Sequence, residues 1–468
     1  MEKNTGPDSF VEKEGEKKNP YVTRRAPFRV CDAMEPFGVS TRCASGAMAL
    51  RLHLRTGGRR GRTSHEISIS CGEDGATLRL DVNVHACGIP PTGAGSLPYT
   101  NWFNLPNTAT RHGLKPWSEA HWRMIRRYAD LMVHGRQNTF LIPLPALFDM
   151  KRGKPVLNRK RLDRLVKTFT DAGMYWIEGG HVASRTGGKW ESPTFDLSVV
   201  GGRATTMEGN AGLAALCSPL MEAIRENGWM HRWIQHVTDE PTEPNTTDYR
   251  ILAGMVRRHM PGLPLLDATM NLELAGAVDI WCPQVQEYQK NRAAFEAQRA
   301  IGDRVWFYTC CCPGGPWLNR LLDMELLRPA LFGWAAALYG LDGFLHWGLN
   351  HYRTDQDPFQ ASVVGHGGTN FLPAGDTHIV YPGSRGPWSS VRLEAQREGF
   401  EDYELLRELR NRDPKAAHRL VRRVIRSFDS YTKKTETLRS ARRGLLQALS
   451  RKRSGATAGR SGSTRRKK

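Results

Sequence analysis

The chain has 468 residues, of which 40% are hydrophobic and 24% charged, with 46 glycines and 13 tryptophans; this balance supports a full core and excludes wholesale disorder, a collagen-like repeat or a coiled coil. No run approaches the roughly 20 uninterrupted apolar residues of a membrane-spanning helix, so no membrane span is expected. The formal net charge of +20 raises nucleic acid as a partner, but Ser450 to Lys468 holds eight Lys or Arg and no acid, which leaves +12 spread over the rest.

No aromatic-interleaved recognition motif accompanies that charge, so no specific nucleic acid is expected, and residues 450–468 read as a disordered basic tail. Residues 1–25 are polar and charged without an apolar leader core, which predicts a flexible N-terminus. As written the chain is expected to be cytoplasmic, and secreted or periplasmic if a leader precedes it. Nothing in the sequence specifies an oligomeric state.

Residues 26–95 form a β-rich, sandwich-like region. Ala47–Leu54, His65–Ser70 and Thr77–Val84 alternate apolar and polar residues and are punctuated by Gly-Gly and Asp-Gly turns. It is short for a complete sandwich.

Residues 96–380 repeat a strand-like run, a loop and an amphipathic helix. The candidate strands are Tyr99–Asn104, Thr139–Leu144, Met174–Glu178, Arg232–Thr238, Leu263–Ala268, Val278–Pro283, Arg304–Cys310 and Gly343–Gly348. Between them, Leu162, Leu165, Val166 and Phe169 keep helical spacing and stop at Gly173, Ser218-Pro219 reads as a helix start, and Thr246 or Thr247 caps a helix running to His259. Eight units over about 250 residues predict an α/β fold, a (β/α)₈ TIM barrel. The competing doubly wound sheet lacks a GxGxxG or GxxxxGK[ST] loop. A C-terminal helical extension follows at 381–449, in which Arg392, Glu394, Arg397, Glu398, Glu401 and Asp402 predict a salt-bridge lattice docking it onto the barrel.

In such a barrel the chemistry sits at the carboxyl ends of the strands. The residues found there include Trp102, Glu178, His181, Asp239, Glu240, Asp267, Gln284, Gln286, Tyr288, Tyr308, His346, Trp347, Asn350, His351 and, nearby, Tyr352. Carboxylates and amides pair with hydroxyls and aromatic faces stack on sugar rings, so a carbohydrate is the expected substrate. The sharpest signal is Asp239-Glu240-Pro241. Two neighbouring acids in different environments can split their pKa values into a protonated acid and an ionised partner, although a helix cap and a surface loop would also explain a lone Asp-Glu pair. Consecutive Cys310, Cys311 and Cys312 fit neither a disulfide framework nor paired zinc-ligand spacing. Apolar packing of reduced thiols is expected there, with no metal and no cofactor.

The run from Trp233 through HVTDEP, YTCCCPGG at Tyr308–Gly315, GFLHWGLNHY at Gly343–Tyr352, and GDTHIVYPG followed by SSVRLEAQREGFEDYELL at Ser389–Leu406 together resemble the catalytic domain of family 123 glycoside hydrolases. The similarity covers Tyr99 to Arg410, about two-thirds of the chain. It implies a β-N-acetylgalactosaminidase-like enzyme, a barrel preceded by a β-sandwich, cleaving with retention through the substrate's own 2-acetamido group. Carried over, Glu240 matches the acid/base and Asp239 the residue that orients the acetamido group. Trp347, Asn350, Tyr308, His181, Asp267, Gln284, Tyr288 and Tyr352 are the candidate substrate-binding residues. Two alternatives stay open: a hydrolase of neutral glycosides pairing Glu240 with Glu178 or Asp267, and a catalytically silent carbohydrate-binding barrel.

Overall fold

The computed structural model describes residues 2–4, 23–24, 29–38, 49–54, 56–365 and 371–451. Most of the expected flexible segment 1–25, part of the alternating run at 47–54, five residues of the glycine-rich connection after Tyr352 and the basic tail beyond Arg451 lie outside the described residues.

Eight parallel strands close a barrel: β1 (Tyr99–Asn101), β2 (Thr139–Ile142), β3 (Trp176–Gly179), β4 (Trp233–His236), β5 (Leu265–Ala268), β6 (Ile280–Cys282), β7 (Arg304–Tyr308) and β8 (Gly343–His346). Each pairs in parallel with its chain neighbours, and β8 pairs with β1 to complete the ring. Seven fall within the expected runs, and β3 runs one residue past its expected end, to Gly179. Each is buried along nearly its whole length, because a parallel strand is covered on both faces.

The connecting helices are α1 (Glu119–His134), α2 (Arg159–Ala172), α3 (Met207–Glu226), α4 (Thr246–His259), α5 (Arg292–Ala300) and α6 (Phe332–Tyr339), followed by α7 (Val391–Arg412), α8 (Pro414–Val424) and α9 (Thr435–Ser450). In α2 the four expected residues are its buried face, Asn158 caps the start, and Gly173 ends it at φ 116°, a left-handed conformation that glycine adopts without strain. α3 begins earlier than expected. Thr206 accepts a hydrogen bond from Gly209 N and caps it, and Pro219 sits in its interior. The buried stripe of Leu213, Leu216, Leu220 and Ile224 outweighs the hydrogen bond that the proline removes. Between β5 and β6 the crossover holds only a 3₁₀ turn, Leu272–Leu274, since the link from Ala268 to Ile280 is too short for a packed helix.

Two apolar layers result. Inside the barrel, Leu141, Ile234, Leu266, Ile280, Trp306 and Leu345 fill the bore, and the larger layer lies between strands and helices. Of residues 26–95, the described part forms a two-stranded hairpin, Gly61–Cys71 with Asp74–Val84, and a short strand, Ala33–Met34, paired to Gly386–Ser390. Residues 49–54 carry no regular structure, and Leu50, Leu52 and Leu54 are exposed.

The expected charge array forms a lattice, but it ties the C-terminal helices to one another, and of its acids Glu394 reaches the barrel, 2.8 Å from His134 Nε2 of α1. Arg442 contacts Glu398, Glu401 and Asp402, and Arg397 bridges Glu394 and Glu401. Arg392 instead points inward to a buried Asp32, at 2.9 Å, tying the N-terminal segment to α7. Among the described residues no helix is long and apolar enough to cross a membrane.

Candidate active site

β4 ends at His236, and the next four residues carry the chain over the barrel rim. Val237 O accepts from Val182 N and Ala183 N, both at 3.1 Å, which holds the strand tip against the β3 loop. Glu240 has φ 47°, a region that non-glycine residues occupy at a cost and that concentrates at functional sites. Two contacts over-determine that bend: Arg185 donates to Glu240 O, and Thr269 Oγ1 donates to Pro241 O at 3.2 Å. Because the pair lies beyond the strand, strict up-down alternation no longer applies to it.

Asp239 is open to solvent and Glu240 half-buried as whole residues, while protein packs densely around both carboxylates. Burial, together with the charge of Asp239, lifts Glu240 to about 7 against the hydrogen bond that Tyr308 OH donates to its Oε1. Asp239 is raised as well: burial and Asp267 push it up, while His236 and Arg185 pull it down. The two acids therefore sense one another.

Beneath them lies a sealed polar chain. His236 Nε2 is 2.5 Å from Glu178 Oε1, and its Nδ1 is 3.3 Å from Asp267 Oδ1. Burial alone would discharge this imidazole, but the hydrogen bonds and charges of Asp267 and Glu178 raise it to about 10, so both ring nitrogens donate. Glu178 also accepts from Thr100 Oγ1 at 2.5 Å and Trp102 Nε1 at 2.9 Å, and Asp267 accepts from Tyr249 OH. All three residues of the chain are fully buried.

His181 packs against His236 with ring centroids 4.6 Å apart and the rings tilted, and edge-on to Trp102 at 5.0 Å. Burial and the His236 charge hold it neutral. Its Nε2 and Thr238 Oγ1 are buried without protein partners, as expected of groups that await a ligand or water. His181, His236 and Asp267 could be taken for a metal triad, but both nitrogens of His236 are occupied by carboxylates.

Trp347 follows β8 half-buried, and its Nε1 bonds both oxygens of Asp376 at 3.1 and 3.2 Å. The structure thus gathers Asp239, Glu240, Tyr308, His181 and Asp267 around the tip of β4. Gln284 lies beside Cys310 and Cys312, with its Oε1 accepting from Gln286 Nε2. Three expected ligand contacts need correcting. Tyr288 is buried in the helix layer, bonded to Glu296 at 2.7 Å and packed against Tyr339 and Phe428. Tyr352 donates to Val380 O at 2.6 Å. The Asn350 amide is spent on Asn104, at 2.6 Å to its N and 3.1 Å to its O. Aromatic and amide side chains near a rim serve loop packing as readily as ligands, and spacing cannot separate the two uses.

Sequence reasoning missed the role of His236, although it stands in the HVTDEP run, and Asp376, which stands in GDTHIVYPG. Arg185 carries no motif signal. The family model described as "Glycoside hydrolase 123, catalytic domain" matches residues 102–409. The chain belongs to that family. Among solved structures it is similar to a family 123 glycoside hydrolase from Clostridium perfringens, at 12% identity and a TM-score of 0.64 over 84% of this chain and 76% of that one. It is also similar to a family 39 glycoside hydrolase from Bacteroides cellulosilyticus WH2, at 11% identity and a TM-score of 0.40 over 73% and 71%. No curated protein matches. The family 123 barrel of this chain is thus a glycosidase scaffold whose strand tips carry the acid pair.

Proposed function

We propose that this family 123 chain removes terminal β-linked N-acetylhexosamine, GalNAc in preference, with retention and with the substrate's 2-acetamido oxygen as nucleophile. The observation that carries the reading is a carboxyl group, Glu240, held near pKa 7 directly beside a second acid. A group poised near neutral pH both gives and takes a proton efficiently.

In the first step the acetamido oxygen bonds to the anomeric carbon as the glycosidic bond breaks, and Glu240 gives its proton to the departing oxygen. Asp239 accepts the acetamido N–H and balances the charge of the oxazolinium. In the second step the Glu240 carboxylate takes a proton from water, which opens the ring from the other face. The two inversions amount to retention.

A retaining neutral-sugar mechanism needs a second carboxylate at about 5–5.5 Å that is free to attack, and an inverting one needs a free carboxylate at about 6.5–9.5 Å to activate water. Glu178 and Asp267 are buried and already engaged, which favours the substrate-assisted route. GalNAc is preferred over GlcNAc on the family resemblance.

The test is a panel of chromogenic 2-acetamido and neutral β-glycosides. Turnover of the 2-acetamido substrates is expected, with Glu240→Gln lowering kcat/KM by about 10²–10⁴-fold and Asp239→Asn by about 10²–10³-fold. Preference for neutral glycosides would support the Glu178 or Asp267 pairing. Sugar binding without any turnover would support the silent barrel.

A further inference from the structure

After β7 the chain turns through Cys310, Cys311 and Cys312. Asn319 Nδ2 pins this loop by donating to Cys310 O at 2.8 Å and Pro313 O at 2.9 Å, and Cys310 N bonds Cys312 O at 3.1 Å. The turn brings together three sulfurs that an extended strand would point to opposite faces. Cys310 Sγ is 3.8 Å from Cys311 Sγ and 3.9 Å from Cys312 Sγ, and all three lie within 4.8 Å of one another. Gln284 Oε1 stands 3.5 Å from Cys312 Sγ.

A tetrahedral thiolate site with metal–sulfur bonds of about 2.3 Å requires sulfurs about 3.8 Å apart. The two separations from Cys310 Sγ, 3.8 and 3.9 Å, match that requirement. Soft sulfur donors select thiophilic ions such as Zn²⁺, Cd²⁺ or Cu⁺ over hard ones. Cys310 is buried, whereas Cys311 and Cys312 are half-buried, so an ion has a way in.

We propose that Cys310, Cys311 and Cys312 form a chelating site for one thiophilic metal ion at the rim of the barrel, with Gln284 Oε1 or water completing a fourth position. Binding a divalent ion M²⁺ displaces the thiol protons to solvent, three for a full tris-thiolate, and leaves one net negative charge on the site. The apolar packing expected from the sequence holds for Cys310, while a metal role for the run departs from the expectation of no metal. Cys310 belongs to the interior cluster with Tyr308 and Trp306, and Cys311 and Cys312 pack half-buried against it.

The test is a titration of the reduced, metal-free full chain with Cd²⁺, followed by the thiolate-to-cadmium charge-transfer absorption in the ultraviolet. One ion per chain is expected. Replacing Cys311 and Cys312 by Ser weakens it by about 100-fold or more, above what loss of an outer-sphere contact costs, while Cys217→Ser in α3 leaves it unchanged. To keep the outcome independent of how the double variant folds, the unaltered protein is treated with iodoacetamide and its peptides are weighed. Cd²⁺ is expected to slow alkylation of Cys311 and Cys312 by about tenfold or more, the reactive species being the thiolate. Absence of the absorption band, its persistence in the double variant, or unprotected Cys311 and Cys312 would each overturn the proposal.

Discussion

Glu240 combines a left-handed backbone, a raised pKa and a phenol bonded to its carboxylate. Tyr308 donates to the ionised form and so holds the pKa down against burial and Asp239. Tyr308→Phe is therefore expected to move the alkaline limb of the kcat/KM profile above its wild-type position near pH 7 and to cost roughly tenfold in rate, about 1–2 kcal/mol of lost hydrogen bonding; an unmoved limb would show that Tyr308 does not act on Glu240. The same group bears on stability. Its folded pKa of about 7 exceeds the ordinary 4.5, so the folded state holds the proton longer, and stability falls as pH rises from about 4.5 to about 7. The acid pair was legible in the sequence because it sits beside Pro241 in a recognisable run. The sealed chain below it was not, since a histidine in a strand shows nothing of the carboxylates that two other strands bring to it.

At the scale of elements, the barrel strands could be read from short runs rich in apolar residues, which burial on both faces favours, although β1, β3, β4 and β5 also carry the buried polar residues Thr100, Glu178, His236 and Asp267. The exceptions came where packing overrode local signals, as with Pro219 inside α3, or where a short link replaced a helix, as between β5 and β6. A contact that no pattern predicts is the crossing of α7 over the residues before and within α6. A Cβ at Gly399 would meet Ala330 O at 2.3 Å, and one at Gly333 would meet Gly399 O at 1.9 Å. Gly399→Ala is expected to destabilise by about 1–3 kcal/mol through overpacking against a backbone that cannot yield. Gly254→Ala, in α4 with nothing within 4 Å, is expected to stabilise by about 0.5–1 kcal/mol. Urea unfolding of both variants checks this pair of opposite signs.

Across the whole molecule, charge is organised in two ways. The C-terminal helices are bound by a lattice of arginines and acids, and the inward Arg392–Asp32 pair fastens the N-terminal segment to α7. The eight basic residues after Ser450 are accompanied by no acid, a composition that suits a non-specific polyanion contact. A chain ending at Leu449 is expected to lose any low-salt affinity for duplex DNA by an order of magnitude or more while keeping its glycosidase activity; binding unchanged by the truncation would place a nucleic-acid surface on the barrel itself. The claim on which the rest depends is that a bound hexosamine supplies its own nucleophile to a site with one acid/base and one orienting carboxylate. The most direct measurement is kcat/KM for an aryl β-N-acylgalactosaminide series in which the acetyl group carries zero, one, two or three fluorines. Each fluorine withdraws electrons from the attacking carbonyl oxygen, so a steep, monotonic fall in rate is expected. A flat series would contradict it and put the nucleophile on the protein.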